Sequence, residues 1–308
     1  MNLRLRAMVS GTFLSLLCAA AVGQSAFPVK FDVIRKSDVF IYKRGADGQT
    51  TPAGTGFLIA IPLKSNPKGS YTVLVTARHL VDPAWLGCST IMPDLVLRFN
   101  KKYFDPTTEE SGTVDYEFPG DSQKGLKWME PKDDSADIAW RILDASKLKA
   151  LGADYDALAI SSFPRPEEIS RIDTGSPILS AGLMTGASGR IRNYPIFKFG
   201  YVSSRPDEKV NATACPNGKQ HAFTNWMIAA SLVPGSSGSP IFFAPLVSGA
   251  KPSGETPRAV LIGVQSSSFP GWDIAGMSPI QFLIDSLKDA HMPDFDLSTL
   301  ESGTPASR

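Results

Sequence analysis

The sequence predicts an all-β protein with one C-terminal α-helix, and three observations support this fold class. First, 24 Pro and 26 Gly break the 308 residues into short segments. Second, many of these segments are rich in β-branched and aromatic residues or alternate in polarity, as strands do. Third, only one segment, near the C-terminus, combines the signals of a helix start with apolar residues at helical spacing.

The predicted strands form two series separated by a stretch of different character. Residues 144–177 are mixed in polarity and contain several prolines, so we place a domain boundary between 160 and 161. The first series comprises 39–42, 56–61, 71–76, 95–99, a strand near 114–118, and 138–142. The second series comprises 178–184, 196–203, 226–232, 241–244 and 259–266.

The C-terminal helix is the element with the clearest local signals. Ser278 is a suitable N-cap, Pro279 suits the first helical position, and Gln281 completes a capping box. The apolar residues that follow fall on one face, which predicts packing against the β structure. Residues 293–308 are predicted to be a flexible tail.

The N-terminus is typical of a secretory signal peptide. Arg4 and Arg6 precede an apolar run over 8–22, and small residues then allow cleavage after Gly23, with a second possible site after Ala26. The alternative is an uncleaved membrane anchor, but the run is short for a membrane span and is interrupted by polar residues. We therefore expect residues 1–23 to be removed and the mature chain to be periplasmic or extracellular, with no membrane association.

Composition excludes several classes of function. The chain has 31 basic and 30 acidic residues, which does not predict a nucleic-acid-binding surface. Three Cys are too few for a disulfide-dense scaffold or a multi-cysteine metal site. The three His lack metal-ligand spacing, so neither a metal nor another cofactor is expected. Cys88 and Cys215 remain after signal cleavage, and a disulfide and two free thiols are equally compatible with the sequence.

The strongest local motif is PGSSGSPIF at 234–242. Gly235 can adopt backbone angles that other residues resist, so the N–H groups of Gly235 and Ser237 can converge beside the Ser237 hydroxyl. Two such donors form an oxyanion hole, which stabilises charge developing on a carbonyl oxygen. The simpler interpretation of the motif is a Gly/Ser turn between two strands.

Two further segments carry residues suited to acid–base chemistry. His79 follows the apolar strand 71–76. A histidine at the end of a strand, with its polar side toward a cleft, suits a general base. Asp137 directly precedes an alternating strand, where a carboxylate can be partly buried. Taken alone, a buried structural histidine and a solvated loop acid are the commoner outcomes. In combination, the chain order His79, Asp137, Ser237 is that of the chymotrypsin barrels.

These three motifs resemble those of trypsin-like (chymotrypsin-fold) serine peptidases, with most similarity to their bacterial and viral branches. The resemblance implies two antiparallel β-barrels packed around a cleft, at 24–160 and, with the terminal helix, at 161–292. It implies a serine-type endopeptidase acting on polypeptides, with Ser237 as nucleophile, His79 as base and then acid, and Asp137 orienting His79. The N–H groups of Gly235 and Ser237 would form the oxyanion hole.

The chain departs from the family pattern at three positions. Ser236 stands where an Asp commonly precedes the nucleophile, Ser239 stands in place of a Gly, and Leu80 replaces a Cys after the histidine. The Asp often pairs with a new N-terminus in the family, so its replacement implies that activation does not depend on that ion pair.

The resemblance also implies a substrate pocket. No acid occupies the floor position Ser231, which disfavours Arg or Lys before the scissile bond because a buried cation needs a counter-charge. Small, uncharged and acidic side chains all remain compatible. The expected pocket residues are Ser231, Leu232, Gln265, Ser266 and Ser268.

Two other functions deserve comparison with this hypothesis. An α/β-hydrolase requires Gly-x-Ser-x-Gly with its acid and base after the serine, whereas here Ser239 occupies the last motif position and only His291 follows. A catalytically silent binding protein of the cell envelope with the same fold is the alternative outside enzymes, because fold does not determine function.

Overall fold

The computed structural model describes residues 31–301 except 93, 109, 119–126, 188, 190, 214, 216–217, 232, 246–258 and 270. The predicted signal peptide at 1–23, the pocket residue Leu232 and the last seven residues of the predicted tail lie outside the described residues.

The first half of the chain forms a seven-stranded sheet. Six strands follow the order β5-β4-β1-β2-β3-β6 with antiparallel neighbours, and β7 pairs with β2 in parallel. The strands are β1 (Asp38–Arg44), β2 (Thr50–Pro62), β3 (Ser70–Thr76), β4 (Asp94–Asn100), β5 (Thr113–Phe118), β6 (Ala139–Leu143) and β7 (Leu158–Ala159).

The second half forms a closed six-stranded barrel in the order β12-β15-β14-β13-β8-β9, with a separate two-stranded hairpin of β10 and β11. Its strands are β8 (Pro177–Gly182), β9 (Ile196–Ser204), β10 (Val210–Thr213), β11 (Gln220–Phe223), β12 (Trp226–Ala229), β13 (Pro240–Phe243), β14 (Val260–Phe269) and β15 (Ile274–Pro279).

An apolar core joins the two halves. In β2, Phe57 and Ile59 belong to this shared cluster, while Leu58 faces a second cluster within the first half. This division follows from the alternation of side chains along a strand. Leu179 and Phe242 of the barrel complete the contact. The two halves therefore dock through buried side chains, and residues at this junction are held in a defined relative position.

The described helices are short. They are α1 (Phe31–Ser37), α2 (Arg78–Val81), α3 (Ala145–Ala150), α4 (Pro166–Ile169), α5 (Gln281–Asp289) and α6 (Ser298–Glu301). The C-terminal helix α5 packs Leu283, Ile284 and Leu287 into the shared core. Among the described residues, no helix has the length and apolar character needed to span a membrane.

The predicted fold class is confirmed: the protein is mostly β, with a C-terminal helix and a closed barrel in its second half. The first half differs from a closed barrel, because its path of six paired strands ends at β5 and β6. The predicted strand series do not include β7, β10, β11 or β15. Half of the residues of β10 and β11 are polar, and only Phe223 among them is buried.

The predicted start of the C-terminal helix is wrong. α5 begins at Gln281, with Ile280 at the N-cap and no side-chain cap hydrogen bond. Ser278 and Pro279 instead end the strand β15. The Ser278 hydroxyl is buried among polar partners of the site described below, so it is unavailable as a cap.

Residues 293–301 pack onto the first half, in contrast to the predicted flexible tail. Phe295 is buried and forms a bridge with Leu63, and Asp294 accepts hydrogen bonds from the N–H and hydroxyl of Ser65. Leu297 also joins the shared core. Apolar residues of this segment thus continue the contact made by α5.

Candidate active site

The histidine of the candidate site lies in a single helical turn at the end of a strand. β3 ends at Thr76, and α2 begins at Arg78, so His79 follows the strand closely. Leu80 and Val81 are buried beneath the turn, while 25% of the His79 side chain remains exposed. Arg78 holds the turn from outside through ion pairs with Asp82, Glu130 and Asp134.

Asp137 binds His79 through both carboxylate oxygens. Its Oδ2 lies 2.7 Å from His79 Nδ1, and its Oδ1 accepts a 2.9 Å hydrogen bond from the His79 backbone N–H. Asp137 is only 2% exposed. A carboxylate at Nδ1 favours the tautomer in which that nitrogen carries the proton, which leaves Nε2 able to accept one. The predicted histidine–aspartate pair is therefore formed in the structure.

A buried polar chain supports Asp137 from the second half. The Asp137 N–H donates to the Ser278 hydroxyl at 3.1 Å, and Ser278 in turn donates to Asn225 Oδ1 at 3.2 Å. The hydroxyl of Ser266 donates to the same Asn225 oxygen at 3.2 Å. All four residues are buried. The position of Asp137 is thus tied to β14 and β15 of the barrel.

Ser237 lies in a tight loop between β12 and β13. Gly235 and Gly238 have φ of +98° and +86°, in the left-handed region that glycine adopts without strain. The Ser237 side chain is half-exposed, while its neighbours Ser236 and Ser239 are buried.

Every backbone carbonyl from Pro234 to Ser237 accepts a hydrogen bond. The Pro234 carbonyl accepts from Thr185, through both its N–H at 3.1 Å and its hydroxyl at 3.0 Å. The Gly235 carbonyl accepts from the Thr55 hydroxyl at 2.8 Å. The Ser236 carbonyl accepts from the Ser239 N–H, and the Ser237 carbonyl from the Thr55 N–H.

Among the described residues, the backbone N–H groups of the loop fall into two sets, three that donate to carbonyls and two that do not. The N–H groups of Ser236, Gly238 and Ser239 donate to backbone carbonyls. Within the described part of the chain, the N–H groups of Gly235 and Ser237 have no acceptor. Because a trans peptide directs its N–H opposite to its carbonyl, fixing the carbonyls of Pro234 and Ser236 also fixes these two N–H groups. The two donors predicted for an oxyanion hole are the two left free.

The Ser237 loop contacts the strand that leads to His79. A Cβ on Gly238 would overlap the Thr55 carbonyl and the Thr76 hydroxyl, and it would lie 3.1 Å from the Ala77 nitrogen. Among the described residues, no hydrogen bond joins the His79 ring to the Ser237 hydroxyl. Such bonds are often long in free enzymes and shorten when substrate binds. The structure therefore brings the serine loop and the histidine segment into contact without linking the two side chains.

Behind the loop lies a cation. Lys198 Nζ, on β9, is 3.4 Å from the Ser236 hydroxyl. Burial lowers the pKa of the Lys198 ammonium, since partial removal from water disfavours its charged form. Ser236 stands at the position where the resembling family commonly has an Asp, so here a lysine meets a hydroxyl rather than a carboxylate.

The expected pocket residues fall into two groups. Gln265 and Ser266 are buried, and the Gln265 Nε2 donates to the Ser267 carbonyl at 2.7 Å. Ser231 and Ser268 are exposed. The backbone of Gln265 accepts from the Gly238 N–H and donates to the Ser239 carbonyl, which places β14 directly beside the serine loop.

A disulfide joins the histidine segment to the hairpin of the second half. Cys88 and Cys215 are bonded, with their Cα atoms 6.0 Å apart. This resolves the choice that the sequence left open. Beside it, Trp85 packs against His221 with ring centroids 4.6 Å apart. The hairpin of β10 and β11 is thus fastened to the segment after His79.

Sequence reasoning missed the polar residues that hold this site, namely Thr55, Thr185, Lys198, Asn225 and Ser278. None belongs to a motif that by itself indicates chemistry. The Gly-Thr-Gly run at 54–56 is the only local signal near Thr55, because a glycine inside a strand often marks a close approach of another backbone.

Among the described residues, no group of three or more His, Cys, Asp or Glu is arranged to hold a metal ion.

Comparisons with known proteins give matches among solved structures alone. No family model matches the chain, and no curated protein matches it. The active form of the Rv3671c protease from M. tuberculosis is 13% identical, with a TM-score of 0.42 over 90% of this chain and 84% of that chain. Tobacco vein mottling virus protease is 10% identical, with a TM-score of 0.44 over 91% of this chain and 96% of that chain. Catalytically inactive tobacco etch virus protease, complexed with substrate, is 10% identical, with a TM-score of 0.42 over 85% and 88% of the respective chains.

Proposed function

We propose that the protein is a serine endopeptidase that hydrolyses peptide bonds through Ser237, His79 and Asp137. The observation that carries this proposal is the loop from 234 to 237, whose carbonyls all accept hydrogen bonds while the N–H groups of Gly235 and Ser237 have no acceptor among the described residues. A simple Gly/Ser turn has no need for two unpaired donors beside a half-exposed hydroxyl, whereas acyl transfer requires them.

In the first half-reaction, the Ser237 Oγ attacks the carbonyl carbon of the scissile peptide bond and its proton passes to Nε2 of His79. The carbonyl oxygen becomes an oxyanion that accepts hydrogen bonds from Gly235 and Ser237. Asp137, at Nδ1, stabilises the imidazolium formed on His79. Collapse of the intermediate breaks the C–N bond, and His79 returns the proton to the leaving amine.

In the second half-reaction, water takes the place of the amine. His79 removes a proton from the water, and the hydroxide attacks the ester carbon of the acyl-enzyme. The same two backbone N–H groups receive the second oxyanion. Breakage of the C–Oγ bond releases the carboxylic acid, and His79 returns the proton to Ser237.

The decisive experiment separates this enzyme from a silent binding protein of the same fold. A fluorophosphonate probe is expected to label the folded protein at Ser237, and Ser237→Ala is expected to abolish both labelling and turnover. Ser236→Ala is a matched control, since it removes a hydroxyl from the adjacent residue, which is only 3% exposed. Folded wild-type protein that resists the probe would support the binding-protein alternative.

Substrate preference follows from the expected pocket. Ser231 is exposed, and none of the four described pocket residues Ser231, Gln265, Ser266 and Ser268 is acidic. Because this lining offers no counter-charge for an Arg or Lys side chain, we propose that peptides with small, uncharged or acidic residues before the scissile bond are preferred. The profile of peptides cleaved from a mixed library measures activity and preference together. Predominant cleavage after Arg or Lys would contradict the assignment of this pocket.

We also propose that the chain is exported. The signal-like segment at 1–23 supports this, as does the disulfide of Cys88 and Cys215, since disulfides persist in oxidising compartments. N-terminal sequencing of the mature protein is expected to begin at Gln24. Mature protein that retains Met1 would refute cleavage of this segment.

A further inference from the structure

Thr55 of the first half makes four hydrogen bonds to three other segments of the chain. Its hydroxyl accepts from the Leu183 N–H at 2.7 Å and donates to the Gly235 carbonyl at 2.8 Å. Its backbone N–H donates to the Ser237 carbonyl at 2.8 Å, and its carbonyl accepts from the Thr76 hydroxyl at 2.7 Å. Thr55 is fully buried. One residue thus connects β2, the end of β3, the chain after β8 and the serine loop.

The direction of the Thr55 hydroxyl is determined by these partners. A hydroxyl carries one proton and can accept through its lone pairs. The Leu183 N–H donates to a lone pair of the Thr55 hydroxyl oxygen, and the single hydroxyl proton is donated to the Gly235 carbonyl. Thr55 is fully buried, so loss of the hydroxyl would deprive both the Leu183 N–H and the Gly235 carbonyl of this partner.

The Gly235 carbonyl has a particular importance because it lies between the two donors of the oxyanion hole. The peptide that carries it is flanked on one side by the N–H of Gly235 and on the other by the N–H of Ser237. Gly235 itself has φ of +98°, and glycine backbones rotate with little steric resistance. The N–H of this peptide, on Ser236, donates to the Val233 carbonyl within the loop, and the Thr55 hydroxyl holds its carbonyl end from outside the loop.

We propose that Thr55 is a positioning residue that holds the Gly235–Ser236 peptide in the orientation that presents the Gly235 and Ser237 N–H groups to the substrate carbonyl. The inference rests on the proposed hydrolytic function. Thr55 does not touch the reacting atoms, and it acts through the loop. Its side-chain hydroxyl, rather than its bulk, is the group required.

This assignment has a consequence for the two halves of the molecule. Thr55 belongs to β2 of the first sheet, whereas Gly235 and Leu183 belong to the second half. The oxyanion loop is therefore complete only when the halves are docked. The same hydroxyl links competence for catalysis to the packing of the shared core.

The test compares three single variants. Thr55→Val keeps the shape of the side chain and removes the hydroxyl, and Thr55→Ser keeps the hydroxyl. Thr72→Val makes the Thr-to-Val exchange at a buried threonine of the adjacent strand β3. The readouts are the rate of fluorophosphonate labelling at Ser237, and kcat and KM for a peptide selected from the library.

We expect Thr55→Val to lower kcat and the labelling rate by about 10- to 100-fold, with KM changed by less than about threefold. Thr55→Ser should remain within about threefold of the wild type, and so should Thr72→Val. A kcat for Thr55→Val equal to that of the wild type would overturn the proposal. Equal losses in Thr55→Val and Thr55→Ser would also overturn it, since the hydroxyl would then be irrelevant.

A further variant, Thr55→Cys, tests the role of the hydroxyl if Thr55→Val does not fold. Thr55→Cys places a thiol, a weak donor, at the position of the hydroxyl. It is expected to have a kcat at least threefold below that of Thr55→Ser, and equality of the two would overturn the proposal. Failure of the proposed hydrolytic function has a different signature, because folded wild-type protein would then not react with the fluorophosphonate probe. The positioning role of Thr55 would fall with that function.

Discussion

The His79–Asp137 pair and the Ser237 loop are held in place by different means. The pair is joined directly: the Asp137 carboxylate accepts a hydrogen bond from the His79 backbone N–H and forms a second with His79 Nδ1, and both residues lie in the first half. The loop depends on contacts from elsewhere, since its carbonyls are held by Thr55 of the first sheet and by Thr185 of the second half. The comparison teaches that the contact between His79 and Asp137 is made within one half, with support for Asp137 from Ser278 of the barrel, whereas the Ser237 loop is held by residues of both halves.

The largest expected effect concerns the local pair. In Asp137→Asn an amide replaces the carboxylate at Nδ1, so the His79 tautomer with its proton on Nδ1 is no longer favoured. We expect kcat to fall by about 10³- to 10⁴-fold, with little change of KM. Steady-state kinetics with the library peptide provide the measurement. Asp133→Asn, in the same segment but without contact to His79, is the control and should retain wild-type activity. Comparable losses in both variants would contradict a specific role for Asp137.

The next prediction concerns the packing of the loop against the first sheet. In Gly238→Ala the new Cβ would overlap the Thr55 carbonyl and the Thr76 hydroxyl. We expect a loss of at least about 2 kcal/mol in the free energy of unfolding and a fall of about 100-fold or more in activity. Urea denaturation and peptide hydrolysis measure the two effects.

The control for this prediction is Gly48→Ala. Gly48 also has a positive φ, +79°, but nothing lies within 4 Å of the position of its Cβ. Its loss should be limited to the conformational penalty of about 1–2 kcal/mol and should spare activity. If the two alanine variants behaved alike, the contact of Gly238 with the first sheet would have no role of its own.

A smaller effect is expected from the polar chain that connects Asp137 to the barrel. In Asn225→Ala the hydroxyls of Ser266 and Ser278 lose their shared acceptor, so the support of the Asp137 N–H weakens. We expect a fall of about tenfold in kcat, with a loss of about 1–3 kcal/mol of stability.

Asn193→Ala distinguishes positioning from general stability. Asn193 is also buried, and its Nδ2 donates to the Arg98 carbonyl at 2.8 Å. Its replacement should cost a similar free energy of unfolding while leaving kcat within about threefold of the wild type. A tenfold fall of kcat in both variants would indicate that loss of stability alone explains the effect of Asn225→Ala.

The same contrast between local and assembled features explains what the sequence predicted. Alternation and β-branched runs identified β1, β2, β3 and β6, since each depends on its own residues. The position of Ser278 was misassigned because cap residues and strand-end serines look alike when their partners are far along the chain. Thr55 could not be recognised for the same reason, as its partners Leu183 and Gly235 lie more than a hundred residues away.

The smallest expected effect compares two buried carboxylates of the first half. Asp137 accepts two hydrogen bonds, whereas neither oxygen of Asp38 has a partner in the described part of the chain. Burial without a partner raises the pKa of Asp38 well above its ordinary value. The neutral form is therefore favoured in the folded protein, and the stability that it contributes is complete below about pH 4 and lost as pH rises through the folded-state pKa.

Asp38→Asn removes this dependence because an amide does not ionise. We expect the variant to be more stable than the wild type by about 1–2 kcal/mol at pH 8, with the difference vanishing towards pH 4. Urea unfolding of both proteins across that range measures it, and peptide hydrolysis should be unchanged, since Asp38 makes no contact with His79 or Ser237. A variant less stable than the wild type at pH 8 would mean that the Asp38 carboxylate is charged and has a compensating partner.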